Sequence, residues 1–236
     1  MRVAAVADLH VGLDSCGLLA PRFASLADDA DLLLLGGDLT QVGAPDEAKV
    51  LAAELDAVPV PVVAVLGNHD LHQDAGDELR AILEDADVTV LDGDVVTVTV
   101  AGCSLGVMGD TGFGGGFTGA SGSAFGEREM KAFMRRTEQS AARIQTGLEV
   151  LDTDLRVALL HYSPVKDTVI GERAEIFPFL GSSLLAHAVD AAGADLVVHG
   201  HAHAGTEQGV TAGGVRVRNV ALPLIRRPYR VFRLGH

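Results

Sequence analysis

The 236-residue sequence has no tryptophan, few cysteines, few basic residues and no long apolar run. Its two cysteines, Cys16 and Cys103, are too few for the disulfide framework of a small secreted domain. Eighteen basic residues against 32 acidic ones give a formal charge of −14. This balance opposes a stable nucleic-acid complex, because affinity for phosphate depends on cationic side chains. No stretch reaches the roughly 18 uninterrupted apolar residues of a membrane span, so no membrane association is expected.

The first ten residues, MRVAAVADLH, do not have the pattern of a secretory signal. They contain one arginine and a short apolar run that ends in polar residues. A signal needs a basic region, a longer apolar stretch and a small-residue cleavage site. We therefore expect a cytoplasmic protein. Because no Pro- or Ser-rich linker divides the chain, we also expect residues 1–236 to form a single domain.

Short apolar runs that end in a polar or glycine turn recur along the chain, and their sparse alternation is typical of strands buried on both faces. Five such runs are Val3–Ala7, Leu32–Leu35, Pro61–Leu66, Val157–Leu160 and Leu196–Val198. Helix-like segments are predicted at 18–29, 46–57, 77–86, 127–151 and 184–192. Strands that alternate with helices indicate an α/β fold with parallel pairing at its start.

Closely spaced apolar segments in the middle of the chain predict mixed sheets rather than one doubly wound sheet. Val88–Leu91, Val95–Val100 and Leu105–Met108 follow one another around short turns, which indicates hairpins. The glycine-rich segment 109–126 is predicted to be a loop, since glycine costs roughly 0.5–1 kcal/mol relative to alanine inside regular elements. Its length and composition suggest a rim over a functional site.

The functional signal lies in the side chains that follow the five runs. They are carboxylates, an amide and imidazoles: Asp8, His10, Asp38, Asn68, His69, His161, His201 and His203. Asp8 and His10 are expected to face the same way, since side chains alternate on extended backbone. Sites in open α/β sheets form outside the carboxyl ends of strands, so the whole set should meet at one edge. Oxygen and nitrogen ligands without a thiolate favour Mn, Fe, Zn, Ni or Co.

In their order, these motifs resemble those of the calcineurin-like metallophosphoesterase superfamily. They are D-x-H at 8–10, G-D at 37–38, G-N-H-D at 67–70, a lone histidine at 161 and G-H-x-H at 200–203. The resemblance implies an α/β fold, a four-layer α/β/β/α sandwich of two mixed β-sheets flanked by helices. It also implies two metal ions and hydrolysis of a phosphate mono- or diester in a small phosphorylated substrate.

The resemblance further implies a role for each motif residue. One metal would be held by Asp8, His10, Asp38 and His203. The other would be held by Asp38, Asn68, His161 and His201, with Asp38 bridging the two ions. A metal-bridging hydroxide would attack phosphorus, His69 would assist the leaving group, and Asp70 would orient the His69 imidazole. His199 lies outside the G-H-x-H pattern and is expected to be a core or supporting residue.

Other functions stay open on the sequence alone. A non-catalytic scaffold of the same fold would be free to lose ligands, whereas this chain has them all. A nuclease of the same fold is a further alternative. The charge of −14 argues against processive action on DNA, but not against a small nucleotide as substrate. The pattern Gly114-x-Gly116-x-x-Gly119 fits a dinucleotide fingerprint only formally, because it lies in a glycine tract. Substrate identity, metal identity and oligomeric state are not determined by the sequence.

Histidines outside these motifs are assigned no role. They are His72, His187 and His236, and all are expected at the surface.

Overall fold

Two β-sheets that face each other form the centre of the computed structural model. The structure describes residues 1–235. The surface position expected for His236 lies outside these residues. The strands are β1 (Arg2–Val6), β2 (Leu32–Gly36), β3 (Val62–Val65), β4 (Val88–Leu91), β5 (Asp94–Val100), β6 (Cys103–Asp110), β7 (Gly116–Phe117), β8 (Ala120–Ser121), β9 (Leu155–Leu160), β10 (Leu196–His199), β11 (Gln208–Val210), β12 (Arg216–Asn219) and β13 (Arg230–Arg233). The helices are α1 (Leu26–Asp29), α2 (Pro45–Leu55), α3 (Gly76–Glu84), α4 (Arg128–Val150), α5 (Phe177–Leu180), α6 (Ser183–Ala192) and α7 (Leu222–Ile225). Single 3-10 turns occupy Ala20–Phe23, Lys166–Val169 and Ala174–Ile176.

Both sheets are mixed, as the sequence predicts. The first has the strand order β13-β1-β2-β3-β4, in which β1 to β4 are parallel and β13 is antiparallel to β1. The second has the order β11-β12-β10-β9-β6-β5, with a parallel centre and an antiparallel strand at each edge. Strands β7 and β8 form a separate short hairpin.

Three buried apolar clusters hold the layers together. Val3, Leu34 and Leu159 belong to the cluster between the two sheets. The outer face of the first sheet packs against its helices through residues such as Leu51 and Leu83 of α2 and α3. The outer face of the second sheet packs against α4 and α6, where the buried residues include Ile144, Leu148, Leu185 and Val189. The predicted four-layer α/β/β/α sandwich is therefore confirmed.

The register of the parallel strands aligns the loops that carry the motif residues. Val6 of β1 pairs with Leu35 of β2, and the following amide of Asp8 donates to the Gly37 carbonyl at 2.9 Å. In the other sheet, the amide of Gly200 donates to the His161 carbonyl at 3.2 Å. The carboxyl ends of strands from both sheets thus lie together at one edge of the sandwich.

Two of the local predictions are wrong. Segment 18–29 is not one helix: it consists of two short turns, and the amides of Leu19 and Ala20 donate to the buried Glu54 carboxylate at 2.8 and 2.9 Å. These tertiary hydrogen bonds replace the bonds that a continuous helix would make. Strands β4 and β5 do not form a hairpin either, because the chain crosses from the first sheet to the second between them. Of these three segments, the last two, β5 and β6, pair as a hairpin.

The glycine-rich segment is not one open loop: residues 109–117 are packed, residues 118–126 are mostly exposed, and β7 and β8 lie within it. The amides of Gly115 and Gly116 donate to the carbonyls of Pro178 and Gly181 at 2.7 and 2.9 Å, and Phe117 is buried. Within residues 1–235, no helix is both long enough and apolar enough to cross a membrane.

Candidate metal centre

The loops after β1, β2 and β10 contain residues in the left-handed backbone conformation. They are Asp8, His10, Asp38 and His201, with φ of 59°, 48°, 50° and 68°. A non-glycine residue in this region costs roughly 1–3 kcal/mol, and such residues cluster at functional sites. Asp8 and His10 were expected to face the same way because side chains alternate on an extended strand, and this explanation is wrong. Strand β1 ends at Val6, and it is the left-handed loop that brings the two side chains together.

One group of ligand atoms comes from the first and last motifs together with the central carboxylate. Single donor atoms of Asp8, His10, Asp38 and His203 all lie within 4.8 Å of one another. His203 Nε2 lies 2.9 Å from Asp8 Oδ1 and 3.5 Å from His10 Nε2. The three side chains thus direct their donor atoms at a common point. This is the first group that the resemblance implies.

A second group shares Asp38 with the first. Donor atoms of Asp38, His161 and His201 lie within 4.8 Å of one another. His161 Nε2 lies 3.3 Å from Asp38 Oδ1 and 3.0 Å from the side-chain oxygen of Asn68. Asp38 is 1% exposed, so its carboxylate is held between the two groups and away from bulk water. The structure therefore brings together all seven residues expected to bind metal.

Backbone carbonyls fix which nitrogen of several histidines is free to act as a ligand. A carbonyl only accepts, so the ring nitrogen that faces it carries the proton. His161 Nδ1 donates to the Gly36 carbonyl at 2.9 Å, which leaves Nε2 for the site. His201 Nε2 donates to the Phe179 carbonyl at 3.2 Å, which leaves Nδ1. Hydrogen bonds of this kind orient histidine ligands in metal sites.

The protonation equilibria also fit a cation site. The hydrogen bond to Asp8 raises the pKa of His203 above its usual value. Burial raises the pKa of Asp8, but the hydrogen bond from His203 and nearby histidines outweigh it, so the net shift is downward. Burial lowers the pKa of His201 to about 3, so this ring is neutral and its lone pair is available. A metal ion competes with protons for such lone pairs.

Two glycines allow the loops to approach this closely. A Cβ atom at Gly67 would overlap Asp38 Oδ1, and one at Gly200 would overlap Asp8 Oδ2. Both glycines directly precede motif residues, Asn68 and His201. The glycines of the motifs are therefore required by the close packing of the ligand loops.

His69 lies at the edge of the site. Its Nδ1 donates to the Gln41 carbonyl at 2.7 Å, and its Nε2 lies 3.9 Å from Asp38 Oδ2. The ring is half-buried and lies edge-on to His10, with 4.5 Å between the ring centroids. His69 Nε2 is thus the nitrogen that faces the proposed ligands.

Asp70 does not orient the His69 ring, contrary to the expectation. Its fully buried carboxylate accepts from the amides of Leu39, Thr40 and Gly67 at 3.1, 2.8 and 2.8 Å, and from the Thr40 hydroxyl at 2.6 Å. The carboxylate is saturated by these donors. Asp70 therefore joins the loops after β2 and β3, and the Gln41 carbonyl holds His69 instead.

His199 is a supporting residue in the core, as predicted. Its Nδ1 donates to the Gly200 carbonyl at 2.8 Å, and its Nε2 accepts from the Thr168 hydroxyl at 2.8 Å. Burial lowers the pKa of His199 to about 4, which keeps the ring neutral.

The backbone carbonyls of Gly36, Gln41 and Phe179 are the participants that sequence reasoning missed, and no side-chain identity signals them.

Tyr162 adds an aromatic wall to the site. Its ring centroid lies 4.4 Å from that of His201, and burial raises the pKa of its phenol to about 12. The Asp38 carboxylate also raises this pKa, whereas Arg136 lowers it. The phenol is therefore neutral and able to donate a hydrogen bond.

The donor set fits two hard or intermediate metal ions. It combines carboxylate oxygen, amide oxygen and imidazole nitrogen without sulfur, in two groups that share one carboxylate. Asp8 and Asp38 supply two negative charges, fewer than the positive charges of two divalent ions. A loaded centre would therefore attract a phosphoryl group despite the acidic surface.

Comparisons with known proteins agree with this geometry. The sequence matches the family model of calcineurin-like phosphoesterases over residues 1–205. A search of curated proteins gives no match. The crystal structure of phosphopantetheinyl hydrolase from Mycobacterium tuberculosis is similar over 99% of this chain and 96% of its own, at 17% identity and a TM-score of 0.70.

NAD nucleotidase from Haemophilus influenzae is similar over 93% of this chain and 44% of its own, at 15% identity and a TM-score of 0.53. At these identities the two structures show a shared fold. The match to the family model covers the loops of all the ligand motifs. The chain therefore belongs to the calcineurin-like phosphoesterase family.

Proposed function

We propose that this chain is a dinuclear metal-dependent phosphoesterase that hydrolyses a phosphate mono- or diester in a small phosphorylated substrate. The observation that carries the proposal is the sharing of Asp38 by two groups of ligand atoms. The bound ions would supply a water of lowered pKa and would offset the negative charge on the phosphoryl oxygens. Mn, Fe, Zn, Ni and Co all suit the donor set.

The residues around the ions would have distinct tasks. Asp8, His10 and His203 would hold one ion and Asn68, His161 and His201 the other, with Asp38 between them. The Gly36 and Phe179 carbonyls would keep His161 and His201 in the tautomers that bind metal.

His69 would act on the leaving group. Gln41 fixes the proton of its ring on Nδ1, so Nε2 is the atom that can exchange a proton at the site. A histidine protonated on Nε2 can donate to the departing oxygen of an ester, which improves the leaving group. The half-exposed position of the ring allows Nε2 to be protonated again from solvent after each turnover.

The test is metal reconstitution followed by an ester panel. The protein is stripped with a chelator, reloaded with each of the five metals in turn, and assayed on aryl phosphate monoesters and diesters. We expect hydrolysis that depends on the added metal and that is absent from the stripped protein. If the protein with two bound ions cleaves none of these esters, or if the stripped protein cleaves them equally fast, the proposal is wrong.

A further inference from the structure

A cleft between α3 and α4 opens directly beside the proposed centre. Its inner part has a volume of about 440 Å³ and reaches Asn68 and Tyr162. Its outer part, which is the part farther from the proposed centre, has a volume of about 230 Å³ and extends to Arg80 and Arg143. Both parts are lined by Thr111 and Arg136, so the two are continuous. We refer to this space as the α3–α4 cleft.

Arg136 is the cation of this cleft that remains available. No carboxylate oxygen of residues 1–235 lies within 4.0 Å of its guanidinium. Arg80, in contrast, is paired with Glu84 at 2.7 Å, and Arg143 with Asp110 at 2.7 Å. The charges of these two arginines are thus compensated, whereas the charge of Arg136 is not.

The side chain of Arg136, which is exposed to solvent, lies over an aromatic ring. Its Cζ atom lies 4.5 Å from the centroid of Phe113, a cation–π contact. Phe113 in turn lies 5.7 Å from the ring of Tyr162, which packs on His201. A series of tilted aromatic contacts therefore connects the Arg136 position to the proposed metal ligands.

The walls of the cleft suit a molecule longer than a phosphate ion. Leu66 and Leu71 provide apolar surface between Asn68 and the outer part. Asp74 and Asp77 lie on the α3 side, and both are exposed to solvent. In the part of the chain that the structure describes, neither carboxylate lies within 4.0 Å of the Arg136 guanidinium, so its donors are available to a ligand in the cleft. The negative charges of Asp74 and Asp77 would favour hydroxyl or amide groups of a ligand at the α3 side of the cleft.

We propose that Arg136 binds a second anionic group of the substrate, separate from the phosphoryl group that is hydrolysed. A guanidinium binds phosphate or carboxylate through two parallel hydrogen bonds, a geometry that fits no neutral group as well. Arg136 is then the residue that makes the enzyme prefer substrates with two anionic groups over simple phosphate esters. This inference rests on the proposed function, because it places the first anionic group on the metal centre.

The test measures binding without catalysis. Alkane bisphosphonates of increasing chain length and the matching monophosphonates are titrated into the manganese-loaded protein by calorimetry. We expect one chain length at which the bisphosphonate binds about 10- to 100-fold more tightly than its monophosphonate, the range of one charge-assisted contact. Arg136→Ala should remove this preference and leave monophosphonate binding unchanged.

Arg135→Ala is the matched control. Arg135 is the preceding residue on α4 and is exposed like Arg136, but it does not line the cleft. Its loss changes the net charge equally. The inference is wrong if no chain length gives a preference, or if both variants reduce it equally. It is also wrong if Arg136→Ala weakens monophosphonates as much as bisphosphonates.

The outcome is separable from that of the proposed function. Metal-dependent ester hydrolysis without any bisphosphonate preference would overturn only the role of Arg136. A bisphosphonate preference that Arg136→Ala removes, in a protein that hydrolyses no ester, would overturn only the catalytic proposal.

Discussion

The proposed role of His69 can be tested directly by one substitution. The Gln41 carbonyl accepts from Nδ1 at 2.7 Å, so Nε2 would be the nitrogen that transfers the proposed proton. Asparagine can still donate a hydrogen bond but cannot protonate a leaving group. His69→Asn should therefore lower kcat by ~10²–10⁴-fold while the metal content stays unchanged. Steady-state kinetics and elemental analysis of the same preparation check both parts.

His72→Asn is the control for this variant, since His72 is three residues away and exposed. It should leave kcat unchanged. An unchanged turnover in His69→Asn would show that the imidazole has no part in the reaction.

His199 makes the stability of the metal-free protein dependent on pH. Its pKa is lowered by burial to about 4 from the usual 6.5, so the unfolded state binds more protons between these values. Stability from this residue is fully present above pH 6.5 and is lost as the pH falls toward 4. The loss amounts to roughly 3 kcal/mol.

Urea unfolding of the metal-free protein at a series of pH values measures this effect. His199→Gln should show a shallower decline of the unfolding free energy between pH 6.5 and 4 than the wild type. His187→Gln, which removes an exposed histidine, should follow the wild-type curve. Parallel curves for all three proteins would contradict the assignment.

At the residue scale, the sequence indicates which side chains form the site but not how they are held. His161 could be identified because it directly follows an apolar run, and Asp38 because it follows one after two glycines. The role of Asp70 could not, because its partners are mainly backbone amides whose positions depend on the folded loops. The same holds for the carbonyl that orients His69.

At the scale of elements, Asp70 joins the loops that follow β2 and β3. Four donors bond to its buried carboxylate, and within residues 1–235 none of them has another hydrogen-bond partner. Asp70→Ala should therefore lower the free energy of unfolding by about 3 kcal/mol, since each buried unsatisfied donor costs about 1–3 kcal/mol and relaxation recovers part of the total. It should also weaken metal binding, because the loop carrying Asp38 loses its support.

Chemical denaturation and metal titration check this prediction. Asp85→Ala, at an exposed position after α3, is the control and should change neither quantity. A stability loss as small as that of the control would show that the two loops are held by other contacts.

The elements themselves differ in how well local sequence determines them. The helices predicted at 46–57, 77–86, 127–151 and 184–192 are all present with small changes at their ends, because their apolar periodicity matches the face that they bury. Segment 18–29 has a similar composition, yet its amides bond to Glu54, a residue far along the chain. Likewise, strand pairing cannot be predicted from proximity alone, since β4 and β5 join different sheets.

At the scale of the whole molecule, the sandwich brings two sheets together so that loops from both meet at Asp38. The first sheet contributes Asp8, His10, Asp38 and Asn68, and the second contributes His161, His201 and His203. The seven proposed ligands meet only when the two sheets are packed together as in the folded sandwich. If the proposed centre is loaded with metal, its positive charge and that of Arg136 would attract a phosphoryl group despite the acidic surface.

The most direct test of the account is the number of metal ions bound per chain, measured by elemental analysis after reconstitution and gel filtration of wild type and Asp38→Ala. The account predicts two ions per chain for the wild type and loss of bound metal in the variant, since both groups need the shared carboxylate. A wild-type protein that retains one ion or none, or an Asp38→Ala protein that retains two, would contradict it.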